Sequence, residues 1–90
     1  METIEILSPS SGHADVEPPR ADLLAELAES VRDERLRQGM SQEALARASG
    51  IHSSEVSRIE RGAREPRLLT LVRVARALEV TPSDLLRGLR

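Results

Sequence analysis

Apolar positions recur every three or four residues through most of this sequence, in stretches separated by glycine, serine or proline. The first stretch begins after Pro19 and predicts a helix to about Gln38, which Gly39 ends. The apolar stripe of this helix consists of Leu24, Leu27, Ala28 and Val31. Because such a stripe covers only one face of a helix, we expect the helix to pack on others.

Two short helices are predicted next, over residues 42–48 and 53–61, with a tight join between them. Ser41 is a suitable N-cap for the first, and Gly50 can adopt the left-handed conformation that ends it. Ile51 is expected to fill the join. Helices this short are not stable alone, so a core must hold them. The inward positions are Leu45, Ala46 or Ala48, Val56 and Ile59.

The last two helices follow a short loop. One is predicted over residues 68–78, and the other begins after the N-cap Thr81, with Pro82 at its first position, where no backbone N–H is needed. The fold class is therefore all-α, a five-helix bundle over residues 20–90 with no convincing sheet. The apolar positions are Leu68, Leu71, Val72, Ala75 and Leu78 in the fourth helix and Leu85, Leu86 and Leu89 in the fifth.

Residues 1–19 differ in composition from the rest of the chain. The stretch SPSSGHADVEPP, residues 8–19, is rich in serine and proline and is typical of a linker or flexible arm. Residues 3–7, TIEIL, could form a short strand or a docked arm, although the sequence contains no evident partner strand. We therefore expect an acidic arm over residues 1–19 and a separate domain over residues 20–90.

The net charge of −2 is an average over these two unlike parts. Residues 1–19 contain four acids and no arginine, whereas residues 20–90 contain 13 arginines and 11 acids. All basic residues are arginine, whose planar guanidinium fits phosphates and guanine edges. The chain has no aromatic residue on which single-stranded bases could stack. We therefore do not expect it to bind single strands or RNA loops.

Other function classes find little support in the residue content. The chain has no cysteine, and its histidines, His13 and His52, do not make a zinc site, so we expect no metal and no cofactor. No serine has a plausible base nearby and no glycine loop is suited to phosphate, so we do not expect an enzyme. No stretch approaches the ~20 apolar residues that span a membrane, and no secretory signal is evident, so we expect a cytoplasmic protein.

The stretch SQEALARASGIHSSEVSRIERG, residues 41–62, has the order helix, glycine turn, β-branched residue, helix that is typical of a helix-turn-helix. The wider run over residues 27–86 resembles the Cro/phage-repressor-like (XRE-type) helix-turn-helix family. GMSQEALA, VSRIERG and the P-x-L-x-T-L tail carry the resemblance. It implies a lambda-repressor-like bundle that binds double-stranded DNA sequence-specifically, as a small dimeric transcriptional repressor with its third helix in the major groove.

The resemblance also implies roles for individual residues. Arg35 and Glu60 match an ion pair that joins the first helix to the third. Arg58 could pair bidentately with a guanine, whereas the short serine hydroxyls specify weakly. An ordinary solvated charged face remains the alternative for the arginines, and a plain first-turn residue the alternative for Gln42. The base-facing positions match Ser53, Ser54 and Arg58, and the backbone-contacting positions are Gln42, Arg61 and Arg64, with Ser57 on the same helix face.

The sequence departs from the family pattern at several helix ends. His52 and Arg67 stand where capping residues are usual, and Ser53 could take over the first of these caps. Glu79 replaces a usual glycine, and a glutamate in a left-handed conformation costs of order 1 kcal/mol. These departures concern local detail rather than the fold.

Apolar residues toward the C-terminal end raise the question of self-association. A twofold dimer on a pseudo-palindrome would roughly double the phosphate contacts of one module, so we expect a homodimer. The alternative for these leucines is closure of the monomer's own core. A second hypothesis for function is an antitoxin or adaptor-type interaction module whose N-terminal arm binds a partner protein. The interface residues expected in a dimer are Leu69, Leu85, Leu86 and Leu89.

Overall fold

A computed structural model describes residues 19–87, which form five α-helices and no strand within that range. Every predicted helix is present, and those with predicted bounds agree to within one residue. The predicted arm, except for Pro19, lies outside the described residues, and so does Leu89. The helices are α1 (Arg20–Arg37), α2 (Gln42–Ser49), α3 (Ser53–Glu60), α4 (Leu68–Ala77) and α5 (Pro82–Leu85).

The core lies where α1 and α2 both pack against α3. Helix α4 covers α2 from the other side, and α5 closes the bundle by contacting both α4 and α1. Because α3 is held between α1 and α2, its orientation is fixed by two independent contacts. The largest fully buried side chains are Leu45, Leu78, Leu85, Val31, Val56 and Val74.

Two predictions about the apolar face of α4 and α5 are wrong. Leu68 was expected inward, but it is 76% exposed, while Val74, absent from the predicted stripe, is only 2% exposed. Leu68 is the first residue of α4, and helical side chains lean toward the N-terminus, so it extends beyond the core. Leu85 was expected in a dimer interface, but it is 1% exposed within the chain and fills the core, as the alternative prediction held.

Short-range polar contacts end the helices largely as the sequence indicates. The Ser41 hydroxyl accepts a hydrogen bond from the Ala44 N–H at 3.0 Å, and Gly50 adopts a left-handed φ of 74° after α2. Glycine reaches this conformation without steric cost, so the chain can turn directly from α2 into α3. The glycine turn therefore lets α3 follow α2 directly, while packing against α1 and α2 fixes the orientation of α3.

Helix α5 begins with a reciprocal capping box. Asp84 N–H donates to the Thr81 hydroxyl at 3.1 Å, while the Thr81 N–H donates to Asp84 Oδ2 at 2.9 Å. The hydrogen bond from the Thr81 backbone is the largest influence on Asp84 and lowers the pKa of its carboxyl below the ordinary 3.8. A carboxyl whose pKa is lower in the folded chain than in the unfolded chain stabilises the fold at pH values above its unfolded-state pKa. That contribution is lost as the pH falls through the folded-state pKa.

We therefore expect Asp84→Asn to remove part of the acid sensitivity of the fold. The free energy of unfolding should fall less steeply below about pH 4 than in the unaltered chain, because one carboxyl with a lowered pKa is gone. Urea titrations at a series of pH values, followed by circular dichroism, measure this. Asp33→Asn, at an exposed position on α1, is the matched control, and an equal change in both variants would contradict the prediction.

Glu79 follows Leu78, the C-cap of α4, and has a left-handed φ of 60°, the conformation considered for it because the family usually has a glycine there. Replacing Glu79 with glycine should raise the free energy of unfolding by about 1 kcal/mol, since a residue without Cβ adopts this conformation freely. Thermal denaturation measures the gain. Glu79→Ala removes the charge but keeps the Cβ, so a similar gain there would show that charge rather than backbone strain is responsible.

Candidate DNA interface

A buried network of polar side chains links α1, α2 and α3. Arg35 in α1 donates from Nε to Glu60 Oε2 at 2.6 Å and from Nη2 to Glu60 Oε1 at 2.9 Å. Its remaining nitrogen, Nη1, donates to the Met40 carbonyl at 2.8 Å. Glu60 raises the pKa of Arg35 above its ordinary value by hydrogen bonding, against the opposing effect of burial. This bidentate ion pair, which the resemblance implied, fixes α1 to the end of α3.

Gln42, at the start of α2, joins the same network. Its Nε2 donates to Glu60 Oε1 at 3.1 Å, so one carboxylate oxygen serves both the arginine and the glutamine. The start of α2 is thereby held against the end of α3. Gln42 remains half-buried, with one amide hydrogen not used by this hydrogen bond. The sequence did not predict this contact, because nothing local to residue 42 indicates a partner eighteen residues away.

The outward face of α3 is polar and opposite to its buried positions. Val56 and Ile59 are 1% and 3% exposed, whereas Ser54 and Arg58 lie at the surface. Ser53 and Ser57 are half-buried, and Arg61 lies exposed just beyond the helix. Of the predicted base-facing residues, Ser54 and Arg58 are thus exposed one helical turn apart, whereas Ser53 is half-buried.

The predicted transfer of the N-cap to Ser53 is wrong. The N-cap is His52, with an extended backbone and no hydrogen bond from its side chain, and Ser53 is the first helical residue. The Ser53 hydroxyl consequently has no capping role and stays available for other contacts.

The arginines of this surface differ in how strongly the protein holds them. Arg58 has no carboxylate within 4 Å among residues 19–87, so its guanidinium is not engaged in an ion pair there. Arg61 donates from Nε to the Ser57 carbonyl at 3.3 Å, and Arg64 Nε lies 4.0 Å from Glu55 Oε2. Such long, exposed contacts are weak and easily exchanged for contacts with phosphate.

A second group of arginines was not singled out by the sequence. Arg47, Arg73 and Arg76 line a shallow depression of about 430 Å³ around Gly50, where α2 meets α4. Within the described range no carboxylate lies within 4 Å of any of them. Arg47 is far in sequence from Arg73 and Arg76, and only the packing of α4 on α2 brings it close to them.

Two kinds of feature are absent from residues 19–87. No group of three or more histidine, aspartate or glutamate side chains there is arranged to hold a metal ion. None of the helices in this part of the chain has both the length and the apolar character to cross a membrane.

Two short helices joined by a glycine turn, with a buried anchor on one side of the second helix and a polar, basic face on the other, define a helix-turn-helix DNA-binding module. Comparison with known families leads to the same class. The HTH_3 helix-turn-helix family matches residues 31–85, and the chain belongs to that family.

Individual relatives point to transcriptional regulators. An uncharacterised HTH-type transcriptional regulator, y4dL of Sinorhizobium fredii, is 41% identical over 68 residues, which is 71% of this chain. The match spans only 35% of that regulator's length. The chain therefore corresponds to one part of this larger relative.

Solved structures agree in fold. The restriction-modification controller protein C.AhdI from Aeromonas hydrophila is 37% identical with a TM-score of 0.68, covering 69% of this chain and 94% of that one. The controller protein C.Esp1396I, solved as a tetramer in complex with its natural 35-base-pair operator, is 31% identical with a TM-score of 0.67, covering 72% and 86%. The predicted lambda-repressor-like fold and XRE-type family are thus confirmed.

Proposed function

We propose that this protein is a sequence-specific regulator of transcription that inserts α3 into the major groove of double-stranded DNA, acting as a small dimeric repressor. The observation that carries this proposal is the exposed Arg58, which has no carboxylate within 4 Å among residues 19–87, on a helix anchored by the buried Arg35–Glu60 pair. A rigid helix with an accessible guanidinium meets the geometric need of guanine recognition. The operator complex of the controller protein C.Esp1396I supports the choice of ligand.

The proposed contacts divide by the chemistry of the side chains. Base edges are assigned to the exposed end of α3, where short hydroxyls and one guanidinium face outward. Phosphates are assigned to groups around it, including Gln42, whose free amide hydrogen is available while Glu60 holds the other. The base-facing residues are Ser53, Ser54 and Arg58, and the phosphate-facing residues are Gln42, Ser57, Arg61 and Arg64.

The proposed dimer rests on exposed leucines. Leu69, one of the predicted interface residues, is 61% exposed, and its neighbour Leu68 is 76% exposed. Two adjacent exposed leucines on α4 form a small apolar patch that a second copy would cover. Leu86 is already half-buried against the monomer's core and contributes less, and Leu89 lies outside the described residues.

Selection from a random double-stranded DNA library, followed by titration against salt, tests the function. We expect enrichment of a pseudo-palindrome with half-sites about one helical turn apart, bound more weakly as salt rises, because phosphate contacts release counterions. Enrichment of a single half-site would contradict the proposed dimer but not the proposed regulator. Binding that depends on salt but enriches no sequence would contradict the regulator.

The adaptor or antitoxin alternative depends on the arm, most of which lies outside the described residues. Deleting residues 1–18 distinguishes the two functions. A regulator should retain or improve its DNA affinity, since the arm's acids oppose DNA. An adaptor should likewise retain or improve its DNA affinity, but it should lose its complex with the partner protein, so that complex is the discriminating readout.

A further inference from the structure

An apolar groove runs between α1, the loop before α4, and α5. It lies on a different surface from the outward face of α3. Its volume is about 460 Å³, and Arg20 and Glu65 stand at its edge, joined by an ion pair of 2.7 Å. Helices α1 and α4 do not close over this groove, so several of its leucines stay partly exposed to solvent. The apolar groove is lined by Leu23, Leu24, Leu27, Pro66, Leu71 and Leu86.

The chain reaches this groove from its own N-terminal side. Pro19 directly precedes Arg20, which lines the groove, and eighteen residues come before Pro19. Three of the large apolar residues in that segment fall within residues 3–7, TIEIL. The eleven residues 8–18 can span up to about 36 Å when extended, which is enough to turn back and place residues 3–7 on the groove.

We infer that residues 3–7 of the same chain dock in the apolar groove. Ile4, Ile6 and Leu7 supply apolar surface that matches the leucines lining it, and burial of such side chains is favourable. The segment is tethered at the groove's edge, so its effective concentration there is high.

Two other occupants fit the groove less well. Leu89 lies only three residues beyond Leu86 and supplies a single large apolar side chain, where the groove is lined by five leucines and a proline. A second copy bound through Leu68 and Leu69, as in the proposed dimer, would use a different surface, because these two leucines do not line the groove.

Methyl NMR on the full chain tests the docking directly. The sequence has four isoleucines, of which Ile4 and Ile6 belong to the docking segment while Ile51 and Ile59 belong to the helix-turn-helix. With isoleucine and leucine methyls labelled, we expect NOEs between the two N-terminal isoleucines and the groove leucines. Removing residues 1–8 should shift the methyls of the groove leucines and leave those of Leu45, in α2, unchanged.

Paired variants separate apolar docking from charge attraction. Ile4→Asn with Ile6→Asn should shift the methyls of the groove leucines as removal of residues 1–8 does, and should lower the thermal midpoint by several degrees. Glu2→Gln with Glu5→Gln changes neighbouring positions without removing apolar surface and should leave the leucine methyls and the midpoint unchanged. Shifted groove leucines in the glutamine variant, with unshifted ones in the asparagine variant, would overturn apolar docking.

A spin label identifies whose segment occupies the groove. The chain has no cysteine, so Ser8→Cys provides a single attachment site for a nitroxide. Broadening of Leu23 and Leu24 methyls within one labelled chain supports the inference. Broadening seen only when spin-labelled and isotope-labelled chains are mixed would assign the groove to a second copy, and no broadening in either sample would exclude the segment. No outcome depends on DNA binding, so the proposed function is tested separately.

Discussion

Replacing Arg35 with methionine is expected to lower the free energy of unfolding by about 3–5 kcal/mol, the loss typical of breaking a buried ion pair by removing one partner. The side chain of Glu60 is 3% exposed, and it would keep its negative charge with only Gln42 as a described hydrogen-bond donor. The Met40 carbonyl would also lose its donor. The fold therefore loses stability mainly through the charge left behind.

Urea denaturation followed by far-ultraviolet circular dichroism measures this loss. The double variant Arg35→Met with Glu60→Met removes both charges, so it should be markedly more stable than Arg35→Met alone. The matched control is Arg37→Met, which breaks the exposed Arg37–Glu34 pair of 3.2 Å and should cost less than about 1 kcal/mol. Equal losses at Arg35 and Arg37 would show that the buried pair has no special role.

Replacing Arg58 with alanine is expected to weaken binding to the selected operator by about 1–3 kcal/mol and to relax the preference at one base pair. The reason is the position of its guanidinium, which is exposed on the outward face of α3 and not held by a carboxylate among residues 19–87. Arg61→Ala should instead weaken binding to all sequences alike and reduce the salt slope by about one, since we assign Arg61 to a phosphate.

Fluorescence anisotropy with labelled operator and random duplexes, repeated over a series of salt concentrations, distinguishes these effects. Arg32→Ala, at an exposed arginine on α1, is the control for loss of one positive charge and should change both affinities only slightly. If Arg58→Ala weakens operator and random DNA equally, Arg58 contacts the backbone rather than a base. If Arg32→Ala weakens DNA binding as much as Arg61→Ala does, the loss of one positive charge explains the effect and a specific phosphate contact is not needed.

Local features of this fold could be predicted from the sequence with good accuracy. Ser41, Gly50 and Thr81 act through side-chain or backbone preferences that involve only the next few residues, so the caps, the turn and the helix bounds follow from them. The left-handed conformation of Glu79 followed instead from the family resemblance, because a glycine is usual at this position.

Features set by packing could not be predicted in the same way. Seven of the ten residues of α4 are apolar, more than its buried face can hold, so periodicity alone did not show that Val74 faces the core while Leu68 does not. Leu85 closes the bundle because α5 folds back against α1 and α4. No local sequence pattern indicates this packing. The hydrogen bond from Gln42 to Glu60 likewise depends on how α2 rests on α3, as does the approach of Arg47 to α4.

The left-handed backbone of Glu79 has a consequence for how long each molecule survives in a cell. A conformational cost of order 1 kcal/mol raises the unfolded population about fivefold relative to a chain with glycine at this position. Cellular proteases that act on opened molecules degrade a protein in proportion to that population when opening and closing are fast. We therefore expect Glu79 to shorten the lifetime of this protein under such proteolysis, and its concentration to follow changes in its synthesis more quickly.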